Sequence, residues 1–400
     1  MTQKRSVFLT GGTGFIGKEL LKSLLQRHPQ DEFFLLIRGR TQHGAQERFE
    51  NLRREIAQET GLADPALFPR LKLVEGDIAL PNFGLGEEGY SALTKNIDTI
   101  FHSAAHVILE APYEESKRLN YRGTIACLAL AQRATALGHF QRFNHISTAF
   151  VAGQRKGLIL EKELDCKQGF NNNYERVKFE AEVELQNAMK EVPITIFRPS
   201  MVMGHSVTGW TNSFNVLYRP IKFSYLGLLP RVPGNHLARI DTVSIDFIVD
   251  ALSHLSALPN HDVLGKTFHL TVGSTNSITV PELIVETFKH FRHYVKEFNL
   301  ENPLVEPVMI PPSLFRMAVY LKSLFSNPRE KKYLENLLIY ADYTSYQKDF
   351  DSRDALSLLE KAGIRPLPLK DYLGNLVRYC IQTHFGKSDH PRHVRARRKR

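Results

Sequence analysis

The sequence predicts an α/β fold, a doubly wound parallel sheet covered by helices on both faces, followed by a small, mostly helical C-terminal region. Apolar runs rich in β-branched and aromatic residues alternate with helical stretches through the first two hundred residues. The 400-residue chain is 42% hydrophobic and 24% charged, which is typical of a globular protein. A glycine-rich turn joins the first apolar run to the first helical one. Together these features indicate repeated β-α-β units.

The elements follow one another in a regular order. The strand-like runs are SVFLT, EFFLLIR, LKLVEGD, DTIFHSAA, RFNHIST and PITIFRP, and the helical segments between them include GFIGKELLKSLLQR, residues 123–136 and a stretch from about Tyr174. Parallel strands read as continuous apolar runs because both faces of the sheet are covered. KTFHLTV predicts one more strand, and the spacing of Thr279 and Glu282 predicts a capping box ahead of a helix.

From about residue 300 the pattern becomes mostly helical, which places a boundary near 295–305. We predict one domain over 1–300, with insertions near 205–240 that face the substrate. A helical region follows over 301–386, and a basic tail over 387–400.

The net charge of the chain is +10, and much of it comes from the end. The final ten residues hold six basic side chains and no acid: Arg392, Arg395, Arg397, Arg398, Lys399 and Arg400. Such a run is typical of a solvated, disordered tail, with contact to anionic lipid as the alternative. No recognition motif accompanies it, so we expect no nucleic-acid partner.

Composition also indicates the cellular compartment and whether disulfides or metal sites are expected. No segment approaches the roughly 18 uncharged apolar residues of a spanning helix, and MTQKRSVFLTGG leaves no room for a signal peptide. We expect a cytoplasmic protein, with peripheral membrane contact through the tail left open. Cys127, Cys166 and Cys380 are widely spaced, which fits reduced thiols and predicts neither disulfides nor a metal site.

The first turn has the composition of a phosphate-binding turn. In VFLTGGTGFIG, Gly11, Gly14 and Gly17 have G-x-x-G-x-x-G spacing directly after the first strand. Glycines there permit a tight turn and close approach of the backbone to a pyrophosphate, and the helix N-terminus stabilises the phosphate charge. The competing P-loop reading fails at Glu19, because a carboxylate stands where a Ser or Thr hydroxyl should hold magnesium. We therefore predict a dinucleotide-binding turn.

The end of the second strand indicates which dinucleotide binds. An acid there would accept hydrogen bonds from the ribose hydroxyls of NAD, but this chain has Arg38 and Arg40 in FFLLIRGR and Arg48 in the next helix. Positive charge in that pocket favours the 2′-phosphate of NADPH. Asp77 closes the third strand, where an adenine contact is expected. Ala104 and Ala105 end the fourth, where small side chains admit the cofactor ribose.

Hydride transfer to a carbonyl needs a proton donor, and a Tyr four residues before a Lys places both on one helical face. The pattern occurs three times. The pair starting at Tyr113 follows the fourth strand too early, and the pair starting at Tyr218 encloses a proline that disfavours a helix.

The remaining pair, Tyr174 and Lys178, opens a helix after the fifth strand. That strand ends in Ser147 and Thr148, whose hydroxyls are placed to share the substrate carbonyl oxygen with the phenol. We also expect the ammonium to lower the phenol pKa and to hold the nicotinamide ribose. Tyr174 is therefore our predicted proton donor.

Taken in order, these motifs resemble the extended short-chain dehydrogenase/reductase superfamily, and within it the fatty acyl-CoA reductases and carrier-protein thioester reductases. The matching blocks are TGGTGFIG, LLIRGR with Arg48, GDIALPNFGL, FHSAAHV, Asn120 with Gly123 and Thr124, HISTA, YERVK, FRPSMVMG, GWTNSFN, IDTVSID and FHLTVGSTNSITVPEL. The likeness is weaker in the C-terminal helical part.

This resemblance implies a Rossmann reductase domain over 1–300, NADPH as cofactor, and Thr148, Tyr174 and Lys178 as a catalytic trio with Ser147 beside it. Carried over motif by motif, the cofactor-binding residues are Gly11, Thr13, Gly14, Phe15, Ile16, Gly17, Arg38, Arg48, Asp77, Ile78, Ala104, Ala105, Asn120, Tyr174, Lys178, Pro199 and Val202.

The leading interpretation is NADPH-dependent reduction of fatty acyl thioesters, from coenzyme A or an acyl carrier protein, to aldehyde, primary alcohol or both. Alternatives are a reductase of carrier-bound peptide or polyketide thioesters, and a related dehydrogenase acting on a steroid or nucleotide sugar. The segment Gly209–Gly234 is apolar and suits a long acyl chain, although core packing explains it equally well. The predicted helix over Pro312–Phe325 packs into the core or, if its apolar side chains are exposed, contacts a membrane.

Overall fold

The computed structural model describes residues 4–39, 43–62, 67–300, 304–345 and 347–386. Within those residues the strands are β1 (Ser6–Thr10), β2 (Glu32–Ile37), β3 (Leu71–Glu75), β4 (Thr99–His102), β5 (Arg142–Ile146), β6 (Gly157–Ile159), β7 (Ile194–Pro199), β8 (Met201–Met203), β9 (Arg231–Pro233), β10 (Arg239–Ile240), β11 (Thr242–Ser244), β12 (Thr267–Leu270), β13 (Ile278–Thr279), β14 (Val308–Ile310) and β15 (Lys348–Phe350).

The helices of the same residues are α1 (Phe15–Arg27), α2 (Ala45–Thr60), α3 (Gly86–Asn96), α4 (Tyr113–Ser116), α5 (Arg122–Ala136), α6 (Asn173–Ala188), α7 (Tyr218–Tyr225), α8 (Ile245–Leu255), α9 (Asn260–Val263), α10 (Gly273–Asn276), α11 (Val280–Glu297), α12 (Pro312–Ser323), α13 (Pro328–Tyr343), α14 (Arg353–Leu359) and α15 (Leu369–Gln382). A π-helical turn, Lys117–Tyr121, joins α4 to α5. The prediction that Pro220 disfavours a helix at Tyr218 is wrong, because this proline lies in the first turn of α7, where its missing N–H costs no hydrogen bond.

The central sheet has seven strands in the order β12-β7-β5-β4-β1-β2-β3. Every neighbouring pair in it is parallel. The strand order reverses at β1, which pairs with β2 on one side and with β4 on the other. A crevice opens at the carboxyl ends of the strands at such a reversal, and ligands bind there in doubly wound folds. The predicted fold class is confirmed.

Two layers of helices cover the sheet, as continuous apolar strands require. On one face α1 packs against α8, with Leu24 and Leu252 fully buried in the same cluster. On the other face α3, α5 and α6 contribute Leu93, Leu130 and Leu185 to a second cluster. Each helix therefore buries its apolar stripe against the sheet. None of the described helices is long and apolar enough to span a bilayer.

The C-terminal residues return to earlier parts of the chain at several points, outside the central sheet. β15 pairs with β6, β14 pairs with β9, and α15 packs along α11. The predicted capping box opens α11, where the Thr279 N–H donates to Glu282 at 2.8 Å and the Glu282 N–H donates to Thr279 at 3.3 Å. The domain boundary near residue 300 stays a prediction, and the basic tail, 387–400, lies outside the described residues.

A buried carboxylate anchors this return. Glu161, 3% exposed, accepts hydrogen bonds from the backbone N–H groups of His269 at 2.9 Å, Asp354 at 2.8 Å and Ala355 at 3.2 Å. It joins the segment after β6 to the edge strand β12 and to the start of α14. Burial raises the pKa of Glu161 to about 7, although the three N–H donors oppose that shift.

We predict that Glu161→Ala lowers the free energy of unfolding by about 3 kcal/mol, because three N–H groups lose a buried acceptor. Urea denaturation followed by circular dichroism measures the change. The neighbouring exposed Lys162→Ala serves as control and is expected to change stability by less than about 0.5 kcal/mol. Equal stability of the two variants would contradict the anchoring role.

Candidate active site

A cleft of about 490 Å³ opens where β1, β4, β5 and β7 end. The predicted site residues that line it are Gly11, Thr13, Gly14, Phe15, Ile16, Arg48, Ala104, Ala105, Ser147, Thr148, Tyr174, Pro199 and Val202. The others, which lie outside its lining, are Gly17, Arg38, Asp77, Ile78, Asn120 and Lys178. Strand ends that are far apart in sequence thus bring most of the predicted residues to one crevice.

The glycine turn forms one wall of the cleft and leaves no space for side chains. Gly11 has φ of +77°, and a Cβ on it would lie 2.6 Å from the backbone nitrogen of Ala104. A Cβ on Gly17 would lie 2.2 Å from the carbonyl oxygen of Gly11. No side chain caps the first turn of α1 among the described residues. Backbone N–H groups there suit a pyrophosphate, so the turn fits a dinucleotide.

Two arginines lie beside this wall. Arg48 of α2 donates to the Thr13 hydroxyl at 3.0 Å and to the backbone carbonyl of Arg38. The Arg38 guanidinium bonds Asp77 at 3.2 Å. Arg40, the third arginine of the prediction, lies outside the described residues. The end of β2 therefore carries two guanidinium groups and a carboxylate already engaged by one of them.

Asn120 and Ile78 lie outside the cleft lining and support its wall, Asn120 by hydrogen bonds and Ile78 by packing. The Asn120 side chain accepts from the His106 N–H at 2.7 Å and donates to the His106 carbonyl at 3.2 Å, which holds the loop after β4. Ile78 lies against Gly123 of α5, where an added Cβ would come within 3.0 Å of it. In this structure both residues shape the wall rather than line the cleft.

Tyr174 is the second residue of α6, whose first turn is capped by the Asn172 side chain. Its ring is buried, yet it lines the cleft, and the described residues offer its hydroxyl no hydrogen-bond partner. The Thr148 oxygen accepts from the Phe150 N–H at 3.2 Å, which leaves its O–H free to donate. Two hydroxyl donors thus face the same space.

Burial raises the pKa of Tyr174, so the phenol is protonated. We expected from the sequence that the Lys178 ammonium would lower this pKa, but in the structure removal from water dominates. A protonated phenol is the form that can donate to an oxygen on which negative charge develops.

Lys178 lies one helical turn after Tyr174 and is 1% exposed. Its ammonium donates to the Ile146 carbonyl at 3.0 Å and contacts the His145 Nε2 at 3.3 Å. Burial lowers the pKa of Lys178 to about 8, and the Glu182 carboxylate opposes the shift. Burial likewise holds the pKa of His145 well below its usual value, so that ring is neutral and accepts.

Sequence reasoning missed a buried polar network below the cleft. The Ser147 hydroxyl donates to Glu182, and Glu182 pairs with Arg198 of β7 at 2.7 Å, both fully buried. Arg198 also contacts the Nε2 of His269 at 3.3 Å, whereas His145 contacts Lys178 beside this network. The available clues were a charged residue in the apolar strand PITIFRP and an acid four residues after Lys178.

The substrate side of the cleft is apolar. Val216 and Leu217, from the predicted insertion, line the cleft and also a second pocket of about 70 Å³. The second pocket is otherwise enclosed mainly by apolar side chains, among them Phe223, Val232 and Phe315. Because the two cavities share walls, they adjoin.

Tyr343 of α13 stands at this junction and was also missed from the sequence. It lines both cavities, donates to Glu175 at 2.7 Å and accepts from the Asn172 amide at 2.9 Å. It therefore ties the C-terminal helices to the start of the helix that carries Tyr174.

The comparisons with known proteins bear on this geometry. The model of an NAD-binding family described as male sterility protein matches residues 9–252. A fatty acyl-CoA reductase of Drosophila melanogaster, wat, is 28% identical over 278 residues, 62% of this chain and 53% of that protein. The large subunit of L-2-aminoadipate reductase from Penicillium chrysogenum is 31% identical over 261 residues, 60% of this chain and 18% of that one. The chain thus spans about half or less of these relatives.

A solved structure is similar over nearly the whole chain. It is the terminal R domain of the myxalamid PKS-NRPS biosynthetic pathway, with 26% identity, a TM-score of 0.77 and coverage of 98% of this chain and 94% of that domain. The residues that the family model matches, 9–252, include the glycine turn and the helix of Tyr174. The cleft is therefore a site for a nicotinamide cofactor. The chain belongs to the male sterility protein family, the fatty acyl-CoA and thioester reductases of the extended short-chain dehydrogenase/reductase superfamily.

Proposed function

We propose that the chain reduces fatty acyl thioesters with NADPH to an aldehyde, a primary alcohol or both. The observation that carries the proposal is an apolar pocket that adjoins a cleft in which two hydroxyl donors, Thr148 and Tyr174, face the same space. An acyl chain gains about 0.8 kcal/mol for each methylene removed from water, which suits a pocket lined by aliphatic and aromatic side chains.

The chemistry follows from the groups that face the cleft. A nicotinamide cofactor held at the glycine turn of Gly11, Gly14 and Gly17 would supply a hydride to the thioester carbonyl carbon. Thr148 and Tyr174 donate hydrogen bonds to the carbonyl oxygen as negative charge develops, and Tyr174 then gives its proton to that oxygen. The resulting hemithioacetal loses the thiol and leaves an aldehyde. A second hydride and proton would convert the aldehyde to a primary alcohol.

Lys178 acts on the phenol of Tyr174 from outside the cleft lining. Its ammonium, held by β5 through the Ile146 carbonyl and His145, places a positive charge one turn from the phenol. That charge stabilises the phenolate left after proton donation. We assign Lys178 this role, and we assign the guanidinium groups of Arg38 and Arg48 to the 2′-phosphate of NADPH.

A second candidate is reduction of carrier-bound peptide or polyketide thioesters. The likeness to a terminal R domain over 98% of this chain favours it. The chemistry at the carbonyl is the same, and the two candidates differ in what fills the apolar pocket.

We predict that Arg48→Ala raises the KM for NADPH about tenfold to a hundredfold and leaves the KM for NADH nearly unchanged, because a charge-assisted bond to phosphate is lost. Steady-state NAD(P)H oxidation measures both constants. The control is Arg54→Ala, an exposed arginine on the same helix. Equal effects on the two cofactors would remove the basis for choosing NADPH.

Tyr174→Phe is expected to lower kcat by about 10² to 10⁴ through loss of the proton donor. The affinity for NADPH, measured by fluorescence titration, should change little. Tyr113→Phe, from another Tyr-x-x-x-Lys pair, is the matched control, since its hydroxyl bonds Glu180 at 2.9 Å outside the cleft. Wild-type turnover in Tyr174→Phe would show that another group donates the proton.

The proposed substrate class is tested with acyl-CoAs of increasing length and excess NADPH, with products identified by mass spectrometry. We expect long chains to be preferred, and Val232→Phe, which fills the apolar pocket, to shift the preference towards shorter chains. Val207→Phe on the exposed surface is the control. If no acyl-CoA is consumed but a carrier-bound thioester is, the second candidate function replaces the first.

A further inference from the structure

Helix α12 is apolar on two opposite faces. Phe315 and Val319 are buried against α13, in a cluster with Leu334 and Ala341. The opposite face and the turn after it carry six large apolar side chains that are exposed to solvent: Leu314, Met317, Tyr320, Leu321, Leu324 and Phe325. Phe325 is 91% exposed. Single exposed apolar residues are ordinary, but a contiguous group of this size marks a contact surface.

The spacing shows that the exposed group is a stripe. Leu314, Met317 and Leu321 stand at positions i, i+3 and i+7 of the helix, which places them on one side. A stripe of leucine, methionine, tyrosine and phenylalanine has the composition of helices that lie in the interface of a bilayer.

The segment that carries the stripe is basic in sequence. Residues 311–332 contain five basic residues and one acid. Among the described side chains of this segment, Lys322 and Lys331 are exposed, as is the acid Glu330, whereas Arg316 pairs with Asp342. Basic side chains beside an apolar stripe are complementary to anionic lipid head groups, each adding about 1 kcal/mol near such a surface.

We propose that the exposed face of α12 docks on an anionic lipid bilayer. The helix lies in the plane of the membrane, with Leu321 and Phe325 in the acyl boundary and the lysines at the head groups.

The position of α12 supports this orientation. Phe315, on its buried face, lines the apolar pocket that adjoins the catalytic cleft. One helix therefore has its inner face on that pocket and its outer face towards the membrane. An apolar substrate partitioned into the bilayer would meet the protein beside the pocket.

The basic tail and a second copy of the chain suit the stripe less well than a lipid surface does. The tail, 387–400, contains one large aliphatic side chain, Val394, which is too few to match an apolar face of six residues. A second copy of the chain would bring the same basic residues into opposition, which costs free energy. A lipid surface satisfies both the apolar and the positive character.

Co-flotation of the full chain with vesicles tests the proposal without requiring turnover, so its failure is distinct from failure of the proposed reductase activity. We expect binding to vesicles of phosphatidylcholine with phosphatidylserine, and weaker binding to phosphatidylcholine alone. Leu321→Gln/Phe325→Gln should lower the partition coefficient by at least about tenfold. Lys322→Glu/Lys331→Glu should lower it several-fold on the anionic vesicles only.

The matched control is Leu137→Gln/Leu158→Gln, two exposed leucines elsewhere on the surface, which should bind as the wild type does. Absence of wild-type binding to either vesicle, unchanged binding of the α12 variants, or an equal loss in the control would overturn the proposal. Sedimentation equilibrium without lipid completes the test. A wild-type dimer that becomes monomeric in Leu321→Gln/Phe325→Gln, with vesicle binding unchanged, would assign the face to a second copy instead.

Discussion

The shape of the site depends on close backbone-to-backbone contacts at two glycines, where no side chain would fit. Gly11 lies against the residues that follow β4, and Gly17 lies against the carbonyl of Gly11. Contacts between backbones cannot relax by rotamer changes, so β1, β4 and α1 hold fixed positions relative to one another. Because the strand order reverses at this point, the same contact places the first turn of α1 at the mouth of the crevice.

A buried polar network beneath α6 supplies the second constraint. Lys178 bonds the backbone of β5. Glu182 joins Ser147, which directly follows β5, to Arg198 of β7. Buried charges are tolerated only when they are paired and hydrogen-bonded, and removal of one partner leaves the other uncompensated. Polar contacts therefore join α6 to β5 and β7 in addition to its apolar packing. The phenol of Tyr174, at the start of that helix, is placed accordingly.

The C-terminal helices contribute side chains to the walls of the cleft and of the apolar pocket. Tyr343 reaches the first turn of α6, and Phe315 lines the apolar pocket. Residues from three parts of the chain thus meet at the junction of the cleft and the pocket. This arrangement couples the shape of the proposed acyl pocket to the packing of α12 and α13.

The sequence by itself determined the fold class, the family resemblance, the glycine turn and the capping box of α11, because each rests on residues a few positions apart or on the order of blocks along the chain. It also placed most of the proposed site residues on one cleft, since parallel strands end at a common edge; their roles stay predictions. Only the tertiary structure showed the contacts of His145, Glu182, Arg198 and Tyr343 around the cleft, because their partners lie far away in sequence. It also decided the sign of the shift in the pKa of Tyr174, which depends on burial. The same holds for α12: its apolar pattern is compatible with either face inward, and packing against α13 selected which face remained in solvent.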